Sequence, residues 1–153
     1  MKNRLALIAL ALWAVTVTAA GVLFVRGHTM TAPDGRTSVL LQRGERDFVL
    51  EEMRQLLVAT RGINQGLAQD DRALIAQSAR SIGMAAAHDA APTLLAKLPL
   101  DFKRLAMPLH QGFDELAAAA EHGEPLPALH NRLIEQMDRC IACHAAFRLE
   151  VEG

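Results

Sequence analysis

Apolar side chains recur every three or four positions along most of the chain beyond residue 45. The first such segment, ERDFVLEEMRQLLVATRGINQGLAQ, carries one apolar stripe made of Val49, Met53, Leu56, Leu57, Thr60, Ile63 and Leu67. Stripes of this period predict amphipathic helices. Three more helices are predicted over about residues 72–88, 100–121 and 128–150. Because their connections are short, the pattern predicts an antiparallel up-down-up-down four-helix bundle.

The segments between these helices show no strand pattern, and the predicted fold class is all-α. Residues 27–44, GHTMTAPDGRTSVLLQRG, contain a Pro-Asp-Gly turn signal and no helical period, so they are predicted to form a linker. Pro92 and Pro99 mark the connection between the second and third helices. Residues 45–153 are therefore expected to form one four-helix-bundle domain.

The N-terminal segment is apolar throughout and predicts a membrane helix. Leu5 to Val25 spans 21 residues without a charge, and a helix of that length crosses a bilayer core of about 30 Å. Lys2 and Arg4 precede it, which favours a cytoplasmic N-terminus and places the rest of the chain outside. Cleavage as a signal peptide is the alternative, since small residues within VTVTAA offer cleavage sites. Residues 1–26 are thus expected to be a membrane anchor or signal segment on an exported domain.

Composition and charge narrow the function classes. The chain is 51% hydrophobic but only 4% aromatic, and its abundance of Ala and Leu favours helix over sheet. Three of its 16 basic residues lie within residues 1–26, which leaves 13 against 17 acidic residues in the remainder. That remainder has no basic excess, which argues against a nucleic-acid partner. No nucleophile–base pair or Gly-rich phosphate loop is evident, and Glu51 and Glu52 fit a helix surface, so an enzyme is not expected.

The candidate chemistry is concentrated in RCIACHAAFR, where Cys140 and Cys143 stand three residues apart and His144 follows. A relaxed disulfide does not fit two positions three apart on a helix, and a thioredoxin-like dithiol needs a βαβ setting that the pattern lacks. A zinc site usually has four ligands, and the sequence has no second Cys/His cluster. Covalent attachment of one haem c remains. Both thiols lie on one helical face, where they can bond the two vinyl groups, and His144 is placed as the proximal iron ligand.

This C-terminal motif, on the last of four predicted helices, resembles that of the class II c-type cytochromes, the cytochrome c′-like four-helix-bundle family. The resemblance covers about residues 45–150. It implies a haem inside the bundle near one end, with a residue of the first helix approaching the distal face of the iron. A Met there implies six-coordinate, electron-transferring iron, whereas an apolar residue implies five-coordinate iron that binds small gases. The N-terminal anchor, the linker and the Pro-rich second connection depart from the family.

Met53 is the first candidate for the distal iron ligand, and the resemblance points to the same stretch of chain. It lies about eight residues into the first bundle helix, which matches the depth of His144 from the end of the last helix. The alternative is that Met53 only fills the core, as buried Met often does. Other side chains expected near the same end are Met84, His88, Met107 and, one turn deeper, His110.

Several cations are expected near the haem end as partners of the propionates: Arg46, Arg54, Lys97, Lys103, Arg104, Arg139 and Arg148. Arg148 follows His144 by four residues, so its stem should pass near the proximal ligand, and the resemblance implies an Arg beside that His. Phe147 is expected to pack on the proximal side. For each cation the alternative is a solvated helix face.

The expected function is that of a membrane-tethered c-type cytochrome that transfers single electrons, on the bacterial cytoplasmic membrane with its haem domain facing the periplasm. Cleavage of the N-terminal helix would make it a soluble periplasmic protein. The expected partners are membrane or periplasmic redox proteins and the membrane itself, with a homodimer as one allowed assembly. The alternatives are a five-coordinate haem protein that senses or scavenges NO or CO, and a haem-bearing subunit of a larger enzyme.

Overall fold

Helices account for most of the chain in the computed structural model, which describes residues 2–153. The helices are α1 (Lys2–Arg26), α2 (Arg43–Gln69), α3 (Arg72–Arg80), α4 (Met84–Ala87), α5 (Pro92–Lys97), α6 (Leu100–Glu121) and α7 (Leu126–Ala146). The strands are β1 (Thr29–Thr31), β2 (Thr37–Leu41) and β3 (Phe147–Val151). The prediction of a mainly helical chain that starts with an apolar helix is confirmed.

Four helices share the main apolar core. α2 packs against α3, α3 against α6, and α6 against α7, while α2 also touches α7. The largest fully buried side chains of this core are Ile63, Ile75, Phe113, Leu116, Leu129 and Leu133. Burial of each such side chain contributes about 1.5–3 kcal/mol, so this core is the main source of stability. α2 and α3 approach closely at Gly66, where a Cβ atom would lie 2.6 Å from Ile75 Cγ1.

The second predicted helix is broken into two. α3 ends at Arg80 and α4 begins at Met84. Side chains of α6 bind the backbone groups that the break leaves free. His110 Nδ1 donates to the carbonyl oxygen of Ile82 at 2.8 Å, and the Asp114 carboxylate accepts the Met84 N–H at 2.8 Å. The continuous helix predicted from local periodicity was wrong because the break is stabilised by polar side chains of another helix.

A small mixed sheet replaces structure that was expected to be linker and helix. β1 and β2 form an antiparallel hairpin, and β2 pairs in parallel with β3. The prediction of no strands was therefore wrong, residues 27–44 are more than a plain linker, and the last helix ends at Ala146 rather than near Glu150. Phe147, Leu149 and Val151 do alternate with polar residues, but their partner strand lies near the other end of the chain.

The sheet covers a second apolar core at the end of the domain that holds the Cys-X-X-Cys-His motif. Its buried members are Val39, Leu41, Val49, Leu94, Leu98 and Phe102. The Phe102 ring meets the Phe147 ring edge to face, with 5.4 Å between centroids, a favourable aromatic geometry. Met53 packs against both cores and so lies at their junction.

α1 belongs to neither core. Its large apolar side chains are exposed along its whole length. The stretch Asn3–Arg26 has 24 residues, and its most apolar 18-residue window has a mean hydropathy of 2.3 with none of it buried. A helix this apolar and uncovered suits a lipid environment better than water. It is long and apolar enough to be a membrane span or a signal sequence.

An ion cluster ties the sheet to α2 and α5. Lys97 Nζ lies 2.5 Å from Glu152 Oε1 and 2.7 Å from Glu45 Oε2, and His28 Nδ1 lies 3.2 Å from the same Glu152 oxygen. The hydrogen bond from Lys97 holds the pKa of Glu152 below its usual 4.5. The hydrogen bonds to the two carboxylates, that of Glu152 foremost, raise the pKa of Lys97 above 10.5.

These shifts predict a pH-dependent stability. The lowered pKa of Glu152 contributes stability above about pH 4.5, and the contribution is lost as pH falls through the lowered value. The raised pKa of Lys97 contributes stability below about pH 10.5 that is lost at higher pH.

We expect Lys97→Met to lose less stability than the unaltered chain between pH 5 and pH 3, measured by denaturant unfolding at several pH values. Arg104→Met, which removes an exposed pair with Asp101, should keep the unaltered pH profile. Parallel profiles for the Lys97→Met and unaltered chains would contradict the prediction.

Candidate haem-attachment site

The two cysteines lie one turn apart on α7, at the junction of the two cores. Cys140 packs against the main core, and Cys143 packs against the second core. Both are free thiols and half-buried. A spacing of three residues on a helix places both sulfur atoms on one face. The face they share borders a groove between α7, α2 and α6.

This groove is lined mostly by apolar side chains, and we call it the apolar groove. It is bounded by Cys140, Met53, Leu56, Leu98, Leu105 and Met107, among others. On the other side lies a second groove, the basic groove, which is bounded by Arg36, Arg46, Leu50, Arg148 and Leu149. The two grooves share a wall made of Val49, Met53, Phe102, Cys143 and His144. A flat group bonded to the cysteines would therefore have apolar contacts on one side and cations on the other.

The protonation of the thiols argues against a redox-active or metal-thiolate pair. Burial raises the pKa of Cys140, and burial followed by the neighbouring Cys140 raises the pKa of Cys143. Reactive or metal-binding cysteines usually have a lowered pKa beside positive charge or a helix N-terminus. Both thiols here stay neutral and lie near the C-terminal end of their helix. Among residues 2–153, no group of three or more His, Cys, Asp or Glu side chains is placed to hold a metal ion.

His144 is exposed on the wall that the two grooves share. It lies two residues before the end of α7, where backbone carbonyl groups lack helical partners. Arg36 Nη1 donates to the carbonyl oxygen of His144 at 3.3 Å, and the N–H of Phe147 donates to the carbonyl of Cys143. The backbone on both sides of the imidazole is thereby held, although its side chain is free to meet a ligand. Arg36 escaped the sequence-based prediction because it lies in the segment expected to be a linker.

Two buried cationic groups at the apolar groove have no hydrogen-bond partner within residues 2–153. They are Lys103 Nζ and Arg139 Nε. Burial lowers the pKa of Lys103, and its Nζ lies 4.1 Å above the Phe24 ring. An unpaired buried cation is costly, so the groove fits a ligand that brings acidic groups. Paired thiols, an adjacent imidazole, apolar walls and unpaired cations together fit a haem with two propionates.

The other cations named from the sequence already have carboxylate partners. Arg54 pairs with Glu51, Arg104 with Asp101, Arg46 with Asp47, and Lys97 with Glu45 and Glu152. Arg148 does line the basic groove next to His144, but its guanidinium lies 3.1 Å from Glu150 and 3.6 Å from Asp34. Of the predicted propionate partners, Lys103 and Arg139 are therefore better supported than Arg148, which stays a prediction.

The structure separates the candidates for the distal side of the iron. Met53, Met107 and His110 line the apolar groove, whereas Met84 and His88 are not among its lining residues. His110 is buried and its Nδ1 is engaged by the carbonyl of Ile82. Met53 lies directly on the wall with Cys143 and His144, which favours it over the others. Its role as a ligand stays a prediction.

Glu52 and Phe102 are groove residues that the sequence did not single out as such. Glu52 was expected on a helix surface, yet it lines the apolar groove and burial raises its pKa. It directly precedes Met53, and both side chains are half-buried and line the groove. In the sequence, nothing distinguishes Phe102 from other apolar helix positions. Its contact with Phe147 depends on the approach of β3, which the sequence did not predict.

No protein-family model, curated protein or solved structure matches this chain.

Lys103 provides a test of the site that does not depend on its iron chemistry. We expect Lys103→Met to raise the melting temperature of haem-free protein, because the cost of a buried ammonium group without a hydrogen-bond partner exceeds the gain from its cation–π contact with the Phe24 ring. The same change should lower the melting temperature of haem-loaded protein, because a propionate loses its partner. Each shift should be about 2–4 °C, which corresponds to about 1 kcal/mol in a protein of this size. Thermal unfolding followed by circular dichroism in detergent measures both.

The control is Arg104→Met, since Arg104 is the next cation along α6 and already pairs with Asp101 at 3.1 Å. It should leave both melting temperatures nearly unchanged. Shifts of the same sign in haem-free and haem-loaded Lys103→Met would show that Lys103 does not face an acidic ligand.

Proposed function

We propose that this chain is a membrane-tethered c-type cytochrome of the cytochrome c′-like kind, which carries one covalent haem c and transfers single electrons. The observation that carries the proposal is the shared wall of the two grooves. Met53, Cys143 and His144 all lie on it, and Cys140 lies one helical turn before Cys143. Unpaired cations at Lys103 and Arg139 add support.

The proposed scaffold is a four-helix bundle made of α2, α3, α6 and α7. The sequential packing of these helices and their shared core support it. In such bundles, cofactors are held between side chains of facing helices. Here α7 would supply the covalent bonds and the proximal ligand, and α2 would supply the distal side.

Each residue has a defined task in this proposal. Cys140 and Cys143 form the thioether bonds, and His144 is the proximal iron ligand. Met53 is the sixth ligand, and Lys103 and Arg139 pair with the propionates. When bound, the haem supplies an iron that takes up and releases one electron at a time. The thioether of Met53 favours the ferrous state relative to a second imidazole, which raises the reduction potential.

The proposed location is the bacterial cytoplasmic membrane, with α1 retained as anchor and residues 27–153 in the periplasm. The length and hydropathy of α1 support membrane insertion or export. Arg4, before the apolar run, supports a cytoplasmic N-terminus by its charge. Attachment to the bilayer raises the local concentration of the domain near membrane redox proteins, which are the partners we propose.

A second candidate function is reversible binding of NO or CO by five-coordinate iron. It is favoured by one observation, the packing of Met53 against both apolar cores. A side chain with that much apolar contact can serve as core filling alone, which would leave the sixth position of the iron open.

The test of haem attachment is the visible spectrum of protein made in a host with cytochrome maturation machinery. We expect a c-type spectrum that is retained after extraction with acidic organic solvent, because thioether bonds survive that treatment. Cys140→Ser and Cys143→Ser should each shift the spectrum of the pyridine complex, because one vinyl group stays unreacted. Colourless protein, or pigment lost to the solvent, would exclude the proposal.

Met53 is tested by Met53→Ala with Met107→Ala as matched control. Both Met side chains line the apolar groove, but Met107 lies outside the shared wall and is 39% exposed. We expect Met53→Ala to convert low-spin to high-spin iron, visible in the ferric and ferrous spectra, and Met107→Ala to leave them unchanged. Met53→Ala should also cost about 2 kcal/mol of stability, the low end for Met→Ala, because Met53 is only half-buried.

High-spin iron in the unaltered protein would instead favour the gas-binding function. Low-spin iron that survives in Met53→Ala would assign the sixth ligand to another residue.

A further inference from the structure

The end of α1 is packed directly onto the domain that follows it. Gly27 has a left-handed φ of 62°, and a Cβ atom there would lie 2.6 Å from Pro99 N and 2.8 Å from Leu98 C. The next residue is held through its backbone: the N–H of His28 donates to the carbonyl of Lys97 at 2.7 Å, and its own carbonyl accepts the Leu40 N–H at 2.8 Å. The connection between helix and domain is therefore a tight joint and not a free tether.

A second contact holds the last turn of α1 against α6. The Lys103 Nζ atom lies 4.1 Å from the centre of the Phe24 ring, a cation–π distance. α1 also contacts α5. Contacts on both sides of the joint restrict its rotation, so the direction of α1 relative to the domain is defined.

The joint brings the end of α1 close to the end of α7. Val25 and Arg26 share one cleft with Ala146 and Phe147, which follow His144 by two and three residues. Asn3–Arg26 has 24 residues, a length of about 36 Å against a bilayer core of about 30 Å. Its last residues therefore reach the headgroup layer, and the cleft lies at that level.

We propose that residues 27–153, the head domain, rest on the bilayer surface in one orientation, with the end of α7 and the start of α6 against the lipid headgroups. The occupant of this surface is the lipid phosphate layer, which matches the net positive charge of the cleft: Arg26 and Arg104 line it, and its one carboxylate, Asp101, pairs with Arg104. The inference rests on the retained membrane helix of the proposed function. It implies that the haem-bearing end lies next to the membrane, so a redox partner approaches along the membrane plane.

The test compares two fluorescent labels on the two ends of α6 in full-length, haem-loaded protein. Asp101→Cys places a label in the cleft, and His122→Cys places one at the opposite end, about 32 Å away along the helix. The native cysteines are consumed by haem attachment, so each label is unique. The protein is reconstituted in nanodiscs of phosphatidylcholine and phosphatidylglycerol with and without a nitroxide-headgroup lipid. We expect several-fold stronger quenching by that lipid at position 101 than at position 122.

Variants of the joint separate docking from simple tethering. Gly27→Ala adds the clashing Cβ atom and should reduce the difference between the labels, and a Gly-Ser insertion after Arg26 should abolish it. Gly35→Ala is the control, since Gly35 also has a positive φ of 84° but no atom within 4 Å of the added Cβ. It should keep the difference, and all variants should keep the haem spectrum.

Equal quenching at both positions in protein with the unaltered joint would overturn the docked orientation. It would not contradict the haem attachment or the membrane anchor. Recovery of the mature protein from the soluble fraction without α1 would overturn the anchor and the docking together. Loss of the haem spectrum in unaltered protein would count against the proposed function alone, because the quenching ratio can still be measured with Cys140 and Cys143 replaced by Ser, which keeps each label unique.

Discussion

The parallel pairing of β2 with β3 determines where the Cys-X-X-Cys-His motif lies. α7 ends at Ala146, and the chain enters β3 at the next residue. Helix ends leave backbone carbonyls without partners, and here Arg36 and the N–H of Phe147 bind those of His144 and Cys143. The pairing also brings Phe147 against Phe102 and closes the second core over the groove. Without it, the last turn of α7 would be free to fray, and His144 with it.

The same sheet joins the segment that follows α1 to the segment that follows α7. β1 and β2 follow directly after α1, and β3 follows directly after α7. Lys97 then connects Glu45 of α2 with Glu152, just beyond β3. The motif, the wall shared by the two grooves and the end of the apolar helix are therefore parts of one packed unit, and a displacement of any of them strains the others.

The groove is incomplete as a purely protein structure. Cys140 and Cys143 are neutral thiols on apolar walls, with their pKa values raised by burial. Lys103 and Arg139 place cationic groups nearby that no protein acceptor satisfies within residues 2–153. Proteins usually satisfy buried polar groups, so these two cations support the proposal of an acidic ligand at this site. A haem would relieve both, since its vinyl groups consume the thiols and its propionates meet the cations.

Local features were predictable from the sequence. The bounds of α6 agree with its apolar period, α1 with its uncharged run, and the cysteine spacing predicted one shared helical face. These depend only on neighbours within a few residues, so periodicity and composition suffice.

Tertiary contacts decided the features that the sequence did not predict. β3 is a strand because of β2, and the break before Met84 depends on His110 and Asp114. Lys103 is a buried cation without a carboxylate partner, whereas its neighbour Arg104 is exposed and paired with Asp101. Each of these depends on residues distant in the chain, and no local pattern encodes which distant backbone or side chain will be met.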